Sequence, residues 1–326
     1  MPVRPVPGPV QPADVDLSVC VVSWNGGAGL IETLGRLPAL AAPLSAETIV
    51  VDNASGDGTP ARIARELPEV RLVRNARNLG FARACNQAAA LARGRALLFL
   101  NADAEPRPGA LPRLVEVLDA RAEVAAVGPR LVDAAGRIEA SAGPAPRLGG
   151  LLHRIRWLRW TGAFRRAHRR WRRATPPGEA AAVERLGGAA LLVRRGAPPW
   201  DEGFPFGLED VDLSRRLAAQ GVLLHEPAAC VTHLGSVSSR RNRTFVHTSY
   251  EVGYARYLRK HDPRAWAAPL YKLLVVLDWP LRLVLALATV LRRGGGGGDR
   301  ADDARAELAA LWAFGAEGGW LRLLRA

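Results

Sequence analysis

Hydrophobic positions in the first 130 residues fall into short uncharged runs separated by stretches of helical periodicity, which predicts strands alternating with helices. Leu17 to Ser23 (LSVCVVS) reads as a first strand, and Leu30, Leu34 and Leu37 follow at helical spacing after a glycine-rich turn. Thr48 to Asp52 predicts a second strand, after which Asn53 to Gly58 forms a turn. Thr59 is then placed to cap a helix with Pro60 in its first position. Val70 to Arg74 gives a third strand, and Phe81 to Arg93 an alanine-rich helix stopped by Gly94. In Ala96 to Glu105 (ALLFLNADAE), Leu97 to Leu100 carry no charge and do not alternate, as suits an interior parallel strand covered on both faces.

Beyond Pro106 the pattern continues with a helix from Ala110 to Ala120 and a strand from Val124 to Val127. Arg130 to Ser141 predicts a hairpin turning at Ala134 to Gly136, and Leu186 to Val193 another strand. Glu209 and Asp210 open a helix that carries Leu213 and Leu217 and ends at Gly221. This order predicts an α/β fold with a mostly parallel sheet flanked by helices.

The two ends read differently. Residues 1–16 are proline-rich and predict a flexible leader, while Tyr250 to His261 predicts a basic amphipathic helix closing a main domain over 17–262. Trp266 to Leu291 is strongly apolar but interrupted by Lys272, Asp278 and Arg282, whereas a membrane span wants about 20 predominantly apolar residues. An interfacial helix lying in a membrane surface is the expectation for 263–293; a true span and a pair of core-packed helices are the competing readings. A glycine linker (294–300) and a C-terminal helix (301–326) complete the chain.

The formal net charge of +14 implies attraction to an anionic partner: nucleic acid, a membrane surface or phosphorylated substrates. Most of the aromatic-rich basic charge lies between Arg154 and Arg173, where Trp157, Trp160 and Trp171 are interleaved with arginines. That mixture suits stacking on single-stranded nucleic acid, an anionic membrane interface, or simply a solvated basic loop. Cys20, Cys85 and Cys230 are odd in number, widely spaced and without a CxxC pair, so neither a disulfide framework nor a zinc site is indicated. A reducing cytosol is the simplest setting.

Candidate chemistry gathers at two places. If the backbone stays extended past the fourth strand, Asn101 and Asp103 share one side, beyond the carboxyl end where open α/β sheets bind ligands. A hard cation such as Mg²⁺ or Mn²⁺ needs only one or two carboxylates plus substrate phosphates, although Asn-Ala-Asp followed by Pro106 and Pro108 also reads as an ordinary turn. The second place is Trp200 to Asp212 (WDEGFPFGLEDVD), acidic for so basic a chain; acids in a first helical turn also simply complement the macrodipole. A dinucleotide reading of Gly26, Gly27, Gly29 and Asp52 as a nicotinamide oxidoreductase fails where Glu32 stands at the third fingerprint position. His233 alone reads more readily as a packed surface or core histidine than as a ligand.

Taken together, VVSWN (Val21 to Asn25), IVVDNASGDGT (Ile49 to Thr59), RNLGFARACNQ (Arg77 to Gln87), LFLNADAEP (Leu98 to Pro106), GGAALLVRR (Gly187 to Arg195), WDEGF (Trp200 to Phe204), LEDVDLSRRL (Leu208 to Leu217) and VTHLGSVS (Val231 to Ser238) resemble, in order, the glycosyltransferase family 2 enzymes of the GT-A fold, especially their rhamnosyltransferase-like branch. The resemblance implies an inverting, metal-dependent transfer from a dTDP- or UDP-sugar, rhamnose being the first expectation, to a glycan or polyprenyl-diphosphate acceptor. It implies that Ser23, Asn25, Asp52, Asn53, Asn78, Gly80, Phe81, Asn86 and Asn101 bind the donor, and that Asp103 and His233 serve the metal. Asp210 matches the general base, with Glu209 beside it, while Asn101 stands where the family often has Asp. A peripheral place on the cytoplasmic face of the plasma membrane, without nucleic acid, completes the expectation.

Overall fold

The computed structural model describes residues 15–172, 178–204, 206–234, 243–293, 304–305, 307–312 and 319–326. The central sheet is built from β1 (Leu17–Ser23), β2 (Ala46–Asp52), β3 (Arg71–Arg74), β4 (Ala96–Asn101), β5 (Ala104–Pro106) and β6 (Val124–Val132), with further strands from later in the chain. After the ribbon strand β7 (Ala142–Gly143) and the short β8 (Ala181–Ala182) and β9 (Arg185–Leu186) come β10 (Ala190–Arg194) and β11 (Val222–His233). Neighbours run β3-β2-β1-β4-β10-β6-β11-β5, with β8 on β11 and β7 paired to β9. β1 to β4 are mutually parallel, β10 is antiparallel to both β4 and β6, and β11 is parallel to β6.

Alternation of side chains across the sheet separates two cores. Val19, Val21, Leu98 and Leu100 face Leu30, Leu34 and Leu37 of α1 (Gly27–Ala41) and Leu111, Leu114 and Leu118 of α4 (Ala110–Ala120). Cys20, Ile49, Val51, Leu97 and Phe99 face the other way, onto Ala84, Cys85 and Ala88 of α3 (Phe81–Leu91) and Leu213 and Leu217 of α8 (Glu209–Leu217). Between α1 and α3, α2 (Thr59–Glu66) returns the chain to β3. Strand order reverses between β1 and β4, so a crevice opens beyond their carboxyl ends. Register aligns Ser23 with Asp52 and Val22 with Asn101, which brings the three strand ends to one level.

Four local expectations change. The backbone does not stay extended after Asn101: it turns at Ala102 and Asp103 before β5, so Asp103 sits in a turn rather than on an alternating strand. The single strand expected over Leu186 to Val193 is broken at Gly187–Ala189, where the chain leaves β9 and enters β10. The strand expected at Val124 to Val127 runs on to Val132, and its hairpin closes at Val132–Ile138. Asp57, not Thr59, does the capping at α2, accepting the Thr59 amide and hydroxyl at 3.0 and 2.7 Å.

A third cluster binds the C-terminal helices to the sheet domain. α9 (Arg243–His261) contributes Tyr254, Tyr257 and Leu258, and α10 (Ala267–Arg293) contributes Tyr271 and Val275, packed on Leu148, Leu151 and Trp171. Trp171 belongs to α7 (Arg165–Arg172), which with α6 (Arg156–Trp160) carries the arginine-tryptophan stretch, just after α5 (Leu148–Leu152). Residues 267–292 are long and apolar enough to cross a membrane by length and composition. Their interrupting charges, however, face the protein: Asp278 is buried and accepts the Arg156 amide at 2.9 Å, and Arg282 bonds Glu307 at 3.0 Å and Glu251 at 3.4 Å. On the opposite side Leu273, Leu277, Val284, Leu287 and Leu291 form an exposed stripe at helical spacing. α11 (Gly319–Arg325) packs Leu323 into the same cluster. The glycine linker and most of the leader lie outside the described residues.

Candidate active site

The crevice floor is assembled from strand ends that the hydrophobic register fixes. Asp52 closes β2, almost fully buried, and its carboxylate accepts the Ser55 amide at 3.0 Å and hydroxyl at 2.5 Å. Asn25, in left-handed backbone (φ 55°), accepts the Gly56 amide at 2.9 Å, while its own amide donates to Ser55 Oγ at 2.8 Å. The β1 and β2 loops are thereby tied into one rim. Ser23 lies beneath them, fully buried, and its Oγ has no hydrogen-bond partner among the described residues. A buried hydroxyl without a partner costs free energy unless something else satisfies it.

Asn53 continues the rim: its side-chain amide donates to Gly80 O at 3.2 Å, and its oxygen accepts from Asn75 at 2.9 Å. Gly80 (φ 86°) turns the chain into α3 with its amide held by Asn78 Oδ1 at 2.9 Å. Phe81 meets Trp200 edge-on at 5.3 Å between ring centroids. Asn86, expected at the nucleoside, bonds the acidic loop through its side-chain amide. Its oxygen accepts the Trp200 amide at 2.8 Å, and its nitrogen donates to Trp200 O and Glu202 Oε1, both at 3.0 Å. It pins the acidic loop onto α3, and both ends of its amide are occupied in doing so.

Across the crevice, the Gly187–Ala189 break joins the two acidic constellations. Asn101 donates its backbone amide to Ala189 O at 2.9 Å, and the next amide back, Gly188 N–H, donates to Asp210 Oδ2 at 3.0 Å. Asp210 and the turn at Asp103 thus flank a single short segment. Gly188 is closely packed here: a Cβ would come within 3.1 Å of Asp210 Cβ, and Asp210 would have to give by a few tenths of an ångström to admit it. Asp210 also accepts the Val211 amide at 2.8 Å, which leaves its carboxylate anchored at the start of α8.

Glu209 behaves differently from its neighbour. Burial first, and then the Asp210 charge, push its carboxyl up to about 8, and its Oε2 has no partner among the described residues. It is a proton-holding group at neutral pH. Downstream, Asp212 is fully buried and accepts from Arg216 at 2.8 Å and from Lys260 and His261 at 2.7 Å each. Asp201 takes Arg256 at 2.9 Å and Lys260 at 2.8 Å. These two acids clamp α8 and the acidic loop onto α9, and neither was singled out from sequence because charge alternation does not distinguish a clamp from a solvated face.

His233 ends β11 and stands beside the Asp103 turn, with Nε2 3.4 Å from Asp103 Oδ1 and the Leu234 amide 2.9 Å from Asp103 O. Its Nδ1 lies 2.9 Å from Glu139 Oε2, a residue that sequence pattern gave no reason to select, 94 positions away. Burial disfavours the charged imidazole, but hydrogen bonds to Asp103 and Glu139 outweigh it and hold the group at about 9. Among the described residues no group of three or more His, Cys, Asp or Glu is arranged to hold a metal ion. The donor set that does converge, one carboxylate and one imidazole, fits a divalent cation whose other positions are filled by a diphosphate.

Residues 18–175 match the family model described as glycosyl transferase family 2. The chain is 30% identical over 297 residues to the N-acetylglucosaminyl-diphospho-decaprenol L-rhamnosyltransferase of Mycobacterium tuberculosis, covering 84% of this chain and 92% of that protein. It is 34% identical over 106 residues to the succinoglycan biosynthesis protein ExoO of Rhizobium meliloti, 32% of this chain and 30% of that one. In fold it is similar to the mannosyltransferase PcManGT from Pyrobaculum calidifontis, solved with GDP-Man and Mn²⁺ (TM-score 0.52, 18% identity, 94% and 91% of the two chains). GalNAc-T7, solved with UDP, GalNAc and Mn²⁺, superposes with a TM-score of 0.51 at 17% identity over 77% of this chain and 52% of that one.

Proposed function

The chain belongs to glycosyltransferase family 2, with a GT-A fold and a nucleotide-sugar-dependent transfer activity, and from that premise we propose that it moves L-rhamnose from dTDP-rhamnose onto an N-acetylglucosaminyl-diphospho-polyprenol acceptor. The observation that supports the proposal is the shared Gly187–Ala189 segment, bonded to β4 at Asn101 and to α8 at Asp210, which links the strand leading to Asp103 with the helix that begins with Asp210. The sugar and the acceptor chosen are those in the name of the mycobacterial relative, which this chain matches over most of its length, and the dTDP carrier is the one the family resemblance implies.

On this reading Asp52, Asn53 and the Ser23 hydroxyl line the nucleoside side, and Asp103 and His233 would hold Mg²⁺ or Mn²⁺ on the diphosphate. The cation, when bound, stabilises negative charge developing on the leaving diphosphate. Asp210 takes the proton of the acceptor hydroxyl as its oxygen attacks the anomeric carbon and the bond to the diphosphate breaks. Glu209, holding a proton beside it, does not compete as a base. A single displacement with no protein nucleophile inverts the anomeric centre. Asn86 we assign to positioning the Trp200 loop.

We place the enzyme on the cytoplasmic leaflet as a peripheral protein. The support is a helix whose charges turn inward and whose leucine stripe turns outward, next to exposed Trp157 and Trp160 and to exposed Arg159, Arg165, Arg166, Arg169 and Arg170. Tryptophan at headgroup depth and arginine toward anionic lipid make that surface an interfacial one. The nucleic-acid reading loses part of its run: Trp171 is buried, and Arg154 and Arg156 pair with Glu251 and Glu307.

The test is a transfer assay with purified full-length protein, dTDP-rhamnose, a divalent cation and a synthetic short-chain N-acetylglucosaminyl-diphospho-polyprenol, with product stereochemistry read by NMR. A new rhamnosyl linkage of inverted configuration is expected. Retention would remove Asp210 as base, and transfer only from other donors would remove rhamnose.

A further inference from the structure

Glu139 lies outside every motif that marks the family resemblance, yet it makes the shortest contact His233 has, 2.9 Å from Oε2 to Nδ1. Its placement is rigid. β6 and β11 run side by side with Val132 opposite Thr232, and the hairpin after β6 folds back with an Ile138–Val132 bridge. Glu139 N–H bonds Leu131 O at 2.9 Å, and the Ser141 amide bonds Glu139 O at 2.9 Å. The turn before it is fastened by Asp133, which accepts the Ala135 and Arg137 amides at 2.9 Å each. The carboxylate is therefore delivered to the imidazole by backbone pairing rather than by a flexible loop.

An imidazole has two nitrogens, and only a neutral ring with its free lone pair on the correct one can ligate a cation. A carboxylate accepting Nδ1–H forces the lone pair onto Nε2 and fixes the ring plane. Nε2 is the nitrogen that faces Asp103. We infer that Glu139 is a positioning residue of the cation site: by holding Nδ1–H of His233 it presents Nε2, together with the Asp103 carboxylate, to the metal on the donor diphosphate. The inference rests on the proposed assignment of Asp103 and His233 to the metal, and it adds a residue that nothing in the sequence motifs points to. Glu139 itself stays one atom row behind, with the imidazole between it and Asp103.

The experiment measures Mn²⁺ affinity of the full-length protein in the presence of thymidine diphosphate, by EPR titration of free Mn²⁺, with nitrogen hyperfine coupling read by electron spin echo on the bound ion. Wild-type protein is expected to show one tight site with coupling to a single imidazole nitrogen. Glu139→Ala, which has no acceptor for Nδ1–H, should weaken Mn²⁺ about 10–100-fold, the usual loss when such a partner is removed. Glu139→Gln keeps a carbonyl acceptor and should recover most of that loss. In His233→Ala the coupling disappears, and adding Glu139→Ala to it should weaken binding no further, because the two act as a unit.

Unchanged affinity in Glu139→Ala, or additive losses in the double variant, would overturn the role of Glu139 while leaving the metal site standing. No imidazole coupling in the wild type would instead remove His233 from the metal, and the inference with it. Since Glu139 sits on a hairpin at the domain surface, unchanged thermal midpoints in all variants are expected, and they separate loss of positioning from loss of fold.

Discussion

Replacing Asp210 with asparagine tests the base with little disturbance of its surroundings. The wild-type carboxylate accepts two amides, Gly188 at 3.0 Å and Val211 at 2.8 Å. Asparagine offers one acceptor oxygen, so one of these bonds is lost and an NH₂ faces an N–H. For a half-buried charged acceptor that costs about 1–2 kcal/mol. The loss is offset in part, because the Asp210 charge is one of the two causes raising Glu209, and asparagine removes it. Net stability should therefore move by less than about 1 kcal/mol, a shift of a few degrees in melting temperature. Activity should not be so forgiving, since general-base assistance contributes about 10²–10⁴ in rate, or about 3–5 kcal/mol of barrier at 1.36 kcal/mol per tenfold. Initial rates with dTDP-rhamnose and the synthetic acceptor give kcat, and calorimetry with thymidine diphosphate gives donor-site affinity. The expected pattern is a kcat loss of at least a hundredfold with affinity within threefold of wild type. A kcat within tenfold of wild type, or a parallel collapse of nucleotide binding, would refute the assignment of Asp210 as the base.

Asp212→Asn leaves Arg216, Lys260 and His261 around an uncharged group, and breaking a buried ion network this way should cost about 3 kcal/mol in urea denaturation; a loss below about 1 kcal/mol would show that the clamp between α8 and α9 contributes little. Glu209 carries a folded-state carboxyl at about 8 against an ordinary 4.5, so the folded chain retains a proton that the unfolded chain releases. Its contribution must therefore fall as pH rises from about 4.5 to about 8, and Glu209→Gln should flatten the pH dependence of the melting temperature across that window. Gly188→Ala places a Cβ 3.1 Å from Asp210 Cβ and should lower kcat about tenfold or more by displacing the carboxylate a few tenths of an ångström, with nucleotide affinity retained. Leu277→Glu combined with Leu287→Glu puts charge into the exposed stripe of α10 and should abolish flotation with anionic vesicles at low salt while leaving the melting temperature unchanged.

The fold was legible where hydrophobic runs had no competing reading. Leu97 to Leu100 could only be an interior strand, and the α1 leucines at positions 30, 34 and 37 could only be a buried helical face. What sequence could not show was decided by contacts between distant segments. The break at Gly187–Ala189 looks like continuous strand in composition, because glycine and alanine carry no mark of the bonds they make to Asn101 and Asp210. Asp103 was reached for an incomplete reason: alternation along an extended chain suggested it, but a turn and the arrival of β11 place it. Asn86 matched a motif and turned out to fasten a loop, since an amide's role depends on which backbone comes within 3 Å of it. Asp278 and Arg282 looked like flaws in an apolar helix, and only their partners Arg156, Glu251 and Glu307 reveal which side of that helix faces inward.

A two-residue segment couples the two halves of the crevice. Gly188 N–H and Ala189 C=O lie one peptide unit apart, one held by the helix that presents Asp210 and the other by the strand that leads to Asp103. Any remodelling meant to admit a bulkier sugar by shifting one wall would drag the other with it and keep the spacing nearly constant. Engineers seeking new donors for this scaffold should leave that crosspiece alone.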